Sequence, residues 1–240
     1  MGLQTALRLI YPPSCISCST LLDEEFALCS NCWGETPFIT GLVCDFCGVP
    51  LPGDSDGHKE RCDDCMTIAR PWERGRAALL YAGNARRLVL AMKHGDRQDL
   101  AVPAARWLVT PMRQLVGKGA IVVPIPAHWT RLIQRRYNQA ALLAKELAAT
   151  TGETYLPDAL VRKRVTKVQD GMGRSERFTN MAGAITPHKK HAVKLAGQEV
   201  LLIDDVMTSG ATFAATTEAC YAAGAARVCV LALARVAKDA

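Results

Sequence analysis

Residues 199–212 read Glu-Val-Leu-Leu-Ile-Asp-Asp-Val-Met-Thr-Ser-Gly-Ala-Thr, and no other stretch limits the fold of this chain so tightly. Val200, Leu201, Leu202 and Ile203 form an unbroken apolar run, β-branched at both ends. Such a run predicts a strand buried on both faces, the habit of parallel sheets covered by helices. Asp204 and Asp205 stand where that strand would leave the sheet, at the edge where open α/β folds bind ligands. Thr208, Ser209, Gly210, Ala211 and Thr212 then make a small, hydroxyl-rich turn ahead of an Ala-rich helix expected from about Phe213. A turn of this kind offers backbone N–H groups, hydroxyls and a helix N-terminus to an anion, and a glycine lets the backbone come close. Two carboxylates beside a phosphate cradle would repel the phosphate. A ribose diol or a bridging Mg²⁺ between them removes the conflict. A buried strand capped by two aspartates and followed by a Thr/Ser helix start is the plainer alternative; it explains each part singly but not their conjunction.

The arrangement resembles the 5-phosphoribosyl-1-pyrophosphate (PRPP) signature of type I phosphoribosyltransferases. The resemblance implies that Asp204 and Asp205 contact the ribose hydroxyls and serve catalysis. It also implies that Thr208, Ser209, Gly210, Ala211 and Thr212 hold the 5-phosphate.

Ten cysteines are many for a reducing compartment unless most are metal ligands, and eight of them fall before residue 66. They form four Cys-x-x-Cys pairs: Cys15/Cys18, Cys29/Cys32, Cys44/Cys47 and Cys62/Cys65. Two residues between thiolates is the spacing at which a tight turn aims both sulfurs at one tetrahedral ion. Four pairs make two complete Cys₄ sites for structural Zn²⁺. Sequential pairing is the simplest, and interleaved pairing also satisfies the spacing. Disulfides and redox-active pairs are the rivals, disfavoured by the lack of an export signal and of a thioredoxin-like context. Such sites are closed, so they hold structure, and a segment this small needs the metal to fold. Asp54, Asp56 and His58 read as an exposed loop, with His58 surplus to the ligand count. Residues 28–33 could begin a helix. Cys220 and Cys229 lie in apolar periodic surroundings and read as core.

Length suits one α/β domain (residues 71–240) behind a small Cys-rich one (residues 1–70), with residues 70–75 as the boundary. No apolar run approaches membrane-spanning length, and residues 1–11 are short and weakly charged for a signal peptide, so a soluble cytoplasmic protein is expected. The formal charge is +6, with basic clusters at residues 131–136, 162–167 and 188–194. That balance suits polyphosphates and permits nucleic acid. Strands are expected at 77–81, 121–123 and 227–234. Helices are expected at 86–92, at 100–115 with interruptions at Pro103 and Pro111, and at 140–149. The strand at 121–123 ends in Pro124-Ile125-Pro126, which forces an extended backbone and then a rigid loop. Arg131, Arg135 and Arg136 behind it read as a second anion site. Leu160 onward begins like a strand, then turns basic. The following cationic stretch, with Gly171, Gly173, Arg174, Arg177 and Asn180, reads as a lid. Residues 184–196 read as a connector.

In this order the segments resemble the ComF, competence-associated phosphoribosyltransferase-like family. The segments are a double zinc ribbon, Met92-Lys93-His94-Gly95, Val123-Pro124-Ile125-Pro126, Arg136-Tyr137-Asn138-Gln139, Arg-x-Arg-x-Thr-x-x-Gln at 162–169, Arg177-x-x-Asn180 and the acidic signature. Arg136 departs from the family's usual small residue. The resemblance implies a type I phosphoribosyltransferase fold, a parallel sheet flanked by helices behind the ribbon. It implies Pro126, Arg131 and Arg136 on pyrophosphate, Arg162 and Arg164 on a flexible loop, and Mg²⁺ with PRPP. It also implies a role in DNA uptake, with single-stranded DNA and other competence proteins at the inner face of the membrane as partners. The glutaminase half of the related amidotransferases is missing, so glutamine hydrolysis is not implied.

Overall fold

The computed structural model describes residues 11–55, 57–165 and 173–237. Its Cys-rich part repeats one design twice. Cys15 and Cys18 lie on a turn closed by the Ser14–Leu21 bridge, and Cys44 and Cys47 on one closed by Val43–Pro50. In each turn the first cysteine's N–H donates to the carbonyl five residues on, Thr20 at 2.7 Å and Val49 at 2.8 Å. The residue after the second cysteine must then turn left-handed. Gly48 does so without strain at φ 70°, whereas the first turn puts Ser19 there at φ 63°. The second pair of each half starts a short helix. Cys29 caps α1 (Ser30–Gly34), with Cys32 inside it, and Cys62 caps α2 (Asp63–Thr67), with Cys65 inside it.

From there the chain runs β1 (Arg74–Leu80), α3 (Gly83–His94), α4 (Ala101–Arg113), β2 (Ile121–Pro124), α5 (Trp129–Arg135), α6 (Gln139–Thr151), β3 (Thr154–Tyr155), β4 (Leu160–Arg162), α7 (Arg174–Met181), β5 (Ile185–Pro187), β6 (Glu199–Met207), α8 (Ala211–Ala222) and β7 (Arg227–Arg235). Five strands form a wholly parallel sheet in the order β1-β7-β6-β2-β3. Alternation along β6 and β7 sorts the core into two layers. Val200, Leu202, Val228 and Val230 face Phe213 of α8 and Trp72, while Leu201, Ile203, Cys229 and Leu231 face the apolar sides of α3, α4 and α6. The expected α/β architecture, a helix-flanked parallel sheet behind a Cys-rich unit, is what the chain adopts. Cys220 and Cys229 are fully buried in it, as their surroundings predict.

Several expectations need correcting. Helix α4 is continuous through both prolines. Pro103 sits in its first turn, where a missing N–H costs nothing, and Pro111 comes only two residues before its end. β6 does not stop at Ile203: Asp204 pairs with Ala232 and Met207 with Arg235, so the acids stand within the ladder. Helix α8 starts at Ala211 rather than Phe213. Of the expected lid, residues 166–172, including Thr166, Gln169 and Gly171, lie outside the described residues, while 174–181 form α7. The expected connector at 184–196 contains β5, which pairs antiparallel with β4 into a small separate sheet. No helix among the described residues is long and apolar enough to cross a membrane.

Candidate functional site

The eight amino-terminal thiols gather into two sequential quartets, Cys15/Cys18/Cys29/Cys32 and Cys44/Cys47/Cys62/Cys65, each with all sulfurs within 4.8 Å of one another. Interleaved pairing is thereby ruled out. The Cys18–Cys29 and Cys47–Cys62 sulfurs are each 3.6 Å apart. A tetrahedral ion with Zn–S bonds of about 2.3 Å sets its sulfurs about 3.8 Å apart, so the quartets fit two structural zinc ions. His58 belongs to neither quartet and is exposed. Hydrogen bonding from Thr20 draws the Cys18 thiol down to about 6. Contacts from the Cys44, Cys62 and Cys65 thiols pull Cys47 far below its ordinary range. The same crowding pushes Cys62 and Cys65 up, so a thiolate in the second quartet is shared among neighbouring thiols, and thiolate is the form that binds metal.

At the carboxyl edge of the sheet, β6 delivers the acidic pair. The Asp205 N–H donates to Asp204 Oδ1 at 2.9 Å, which holds the Asp204 carboxylate against the strand. Loss of hydration, with the Asp205 charge beside it, raises Asp204 to about 7; Lys93 and Arg162 oppose the shift only in part. Lys93, near the end of α3, pairs with Asp205 at 3.3 Å, both side chains being largely covered. Tyr137 secures that helix end by donating its hydroxyl to the Met92 carbonyl at 2.6 Å. Lys93 is visible in the sequence only as part of a motif. No spacing rule links residue 93 to residue 205; only the packing of α3 beside the sheet does.

The turn after β6 ends at Gly210, whose φ of 83° is left-handed and suits glycine, and α8 begins at the next residue. Ser209 Oγ accepts from the Ala211 N–H at 3.4 Å, a weak start to the helix. Thr208, Ser209 and Gly210 thus form the loop after β6, and Ala211 and Thr212 open α8.

The other predicted positions are dispersed. Pro126 follows Ile125, whose N–H donates to the Ile203 carbonyl at 2.9 Å, so the loop after β2 begins alongside β6. Asn138 donates to the Ile125 carbonyl at 2.9 Å and caps α6 through the Ala140 N–H at 3.1 Å. Arg136 is exposed and left-handed (φ 63°), closing α5. Arg131 lies on α5, with its side chain outside the described set. Arg162 is buried on β4, its Nη2 3.2 Å from Met181 Sδ, near enough for its charge to act on Asp204. Arg164 instead donates to the Asn180 and Ala182 carbonyls, at 3.1 and 2.9 Å, and so ties down the end of α7.

Residues 6–66 match a family model described as a double zinc ribbon domain. The chain is 28% identical over 236 residues to a protein named DNA utilization protein YhgH of Salmonella typhi, covering 95% of this chain and 99% of that one. It is 24% identical over 204 residues to Competence protein F of Haemophilus influenzae, covering 82% and 86% respectively. Among solved structures, a hypoxanthine phosphoribosyltransferase from Staphylococcus aureus aligns with 56% of this chain and 62% of its own, at 13% identity and a TM-score of 0.33.

Proposed function

We propose that this chain, a homologue over most of its length of the proteins named DNA utilization protein YhgH and Competence protein F and the bearer of a double zinc ribbon, is a PRPP-binding phosphoribosyltransferase-like protein acting in DNA uptake. The observation that carries this reading is the run of β6, the Asp204/Asp205 pair, the left-handed Gly210 and the start of α8 at the carboxyl edge of a parallel sheet. A ribose diol would donate to Asp204 and Asp205, and the 5-phosphate would take the N–H groups and hydroxyls of residues 208–212. Lys93 pairs with Asp205 and holds its carboxyl group in place. Displacement of pyrophosphate from ribose C1 develops positive charge on the sugar, which an ionised Asp204 or Asp205 opposes. Mg²⁺, when bound with PRPP, would offset charge on the departing pyrophosphate. Pro126, Arg131, Arg136 and Arg162 are the positions proposed to meet that pyrophosphate. Among the described residues no group is assigned as general base for an acceptor, so the acceptor is left unnamed.

Calorimetry of the zinc-loaded protein with PRPP and Mg²⁺ tests this reading, followed by pyrophosphate release over a panel of bases and amines. No heat with PRPP would overturn it; heat without release would leave a PRPP sensor. One observation favours that sensor with a DNA-binding role. Trp33 on α1 and Trp129 on α5 are exposed, at 55% and 62%, and exposed rings suit stacked single-stranded bases. Salt-dependent oligonucleotide binding that survives Asp204→Asn would support it.

A further inference from the structure

We propose that the second Cys₄ site shapes the phosphate loop through Arg70, with Arg235 completing the grip, so that metal in the ribbon sets the anion affinity of the other domain. The proposal rests on the reading that residues 208–212 take a phosphate. Arg70 lies five residues beyond Cys65 and spans both sites. Its Nε donates to Cys65 Sγ at 3.4 Å and its Nη1 to the Ser209 carbonyl at 2.6 Å. The guanidinium lies over the Trp72 indole, 5.4 Å from its centroid. Trp72 is itself fixed: its Nε1 donates to the carbonyl of Phe46, between Cys44 and Cys47, at 2.6 Å, and its ring meets Phe213 of α8 at 6.2 Å. Buried Arg235 donates through Nη1 to the Thr208 carbonyl at 2.7 Å and the Met207 carbonyl at 3.2 Å.

The consequence for the loop follows from peptide geometry. In a trans peptide the carbonyl and the next N–H point in opposite directions. With the Thr208 and Ser209 carbonyls drawn toward two arginines, the Ser209 and Gly210 N–H groups turn the other way, to the side proposed for the phosphate. The loop therefore arrives with its donors already aimed, and the cations behind it add to the field an anion would meet. Gly210 leaves room for this: a Cβ there would lie 2.8 Å from Arg70 Nη1 and 3.0 Å from Trp72 Cη2. A zinc ion with four thiolates is a net anion, so it anchors the guanidinium that a neutral thiol or a disulfide would release.

The test compares the zinc-loaded protein with Arg70→Met, Arg70→Lys and Arg87→Met, the last breaking an exposed ribbon-to-α3 contact far from the loop. Two quantities are read: amide hydrogen exchange at residues 208–212, and affinity for PRPP with Mg²⁺ and for inorganic phosphate. Arg70→Met should keep two zinc ions per chain, speed exchange in the loop and weaken PRPP binding by about tenfold or more, the effect of losing a charge-assisted hydrogen bond. Arg70→Lys, one ammonium in place of a fork, should fall between, and it decides alone if Arg70→Met does not fold. Arg87→Met should match the parent. Chelation of the parent should speed exchange in the same five residues. Unchanged loop exchange in both Arg70 variants, or a loop indifferent to chelation, overturns the proposal. If the parent binds neither PRPP nor phosphate, the proposed function fails by itself, and loop exchange still decides the coupling.

Discussion

Asp204 holds the strongest chemical tension among single residues. Its carboxyl rests near 7 because burial and Asp205 disfavour the ionised form, while an unfolded chain would release that proton near its ordinary 3.8. Between those values the native state binds more protons than the unfolded one, so this group makes stability fall as pH rises from about 4 to about 7. Asp204→Asn removes the slope. The variant should therefore gain on the parent as pH climbs from 5.5 to 8, by at most about 2 kcal/mol, since only the part of the shift lying above pH 5.5 is crossed in that range. Paired thermal melts in zinc-containing buffer across that range would show it, and a constant difference would contradict it. Lys93→Met should move the parent's slope to higher pH, since that cation opposes the upward shift. The acids themselves are legible in the sequence because an apolar run predicts the strand that carries them, although that strand continues two residues past them. Lys93 is not, because its partner lies more than a hundred residues away.

Among elements, the unit of β6, loop and α8 depends on one backbone conformation. Gly210→Ala asks a side-chain-bearing residue to hold φ 83° and sets its Cβ against Arg70 and Trp72. Left-handed strain of about 1–2 kcal/mol is expected in the urea midpoint, together with a loss of PRPP affinity larger than that strain alone explains. An affinity equal to the parent's would show that the loop conformation is immaterial to the ligand. Strands β2, β6 and β7 announce themselves because each is buried on both faces and reads as an apolar run. The last turn of β6 does not, since Asp-Val-Met carries no such run and its pairing with β7 is decided by register. The β4–β5 sheet is silent for a related reason: its strands are three residues long, and one ends in proline. No period can be read from three residues. The eight cysteines reveal two metal sites, but only the turns and the Cys29 and Cys62 helix starts settle which pairs meet.

For the whole molecule, the ribbon covers one edge of the sheet, that of β1. β1 is an edge strand, paired with β7 on one side only. On its other side the Gly75 N–H donates to the Asp45 carbonyl at 2.8 Å, the Ile39 N–H to the Ala78 carbonyl at 2.9 Å and the Leu80 N–H to the Pro37 carbonyl at 2.9 Å. Gly75 makes this approach possible, because a Cβ there would collide with the Phe46 carbonyl oxygen. Desolvation would raise Asp45, but Arg76 and Arg74 outweigh it and hold the carboxyl below its usual range, bonding it at 2.6 and 2.7 Å. The domain boundary expected at residue 70 thus runs beside a seam made of backbone hydrogen bonds and a largely buried ion pair. Composition and spacing identify the ribbon, yet nothing in them says which strand it meets.

Metal removal is accordingly expected to act on the sheet as well as on the ribbon. Without zinc the two Cys-rich halves lack a core of their own and should open. The Gly75 and Leu80 amides then lose their acceptors, and β1 presents an unpaired edge of the kind that recruits other strands. Chelation should accelerate amide exchange at Gly75 and Leu80 while the centres of β6 and β7 stay protected, and self-association should follow with rising protein concentration. Asp45→Asn should reproduce part of this with zinc still bound, because breaking a mostly buried ion pair leaves Arg76 uncompensated at a cost of about 3–5 kcal/mol. If chelation instead melts β1, β6 and β7 together, the ribbon and the sheet are one cooperative unit. If it leaves the Gly75 and Leu80 amides protected, the ribbon keeps its grip on the edge without metal, and the zinc serves only its own half of the molecule.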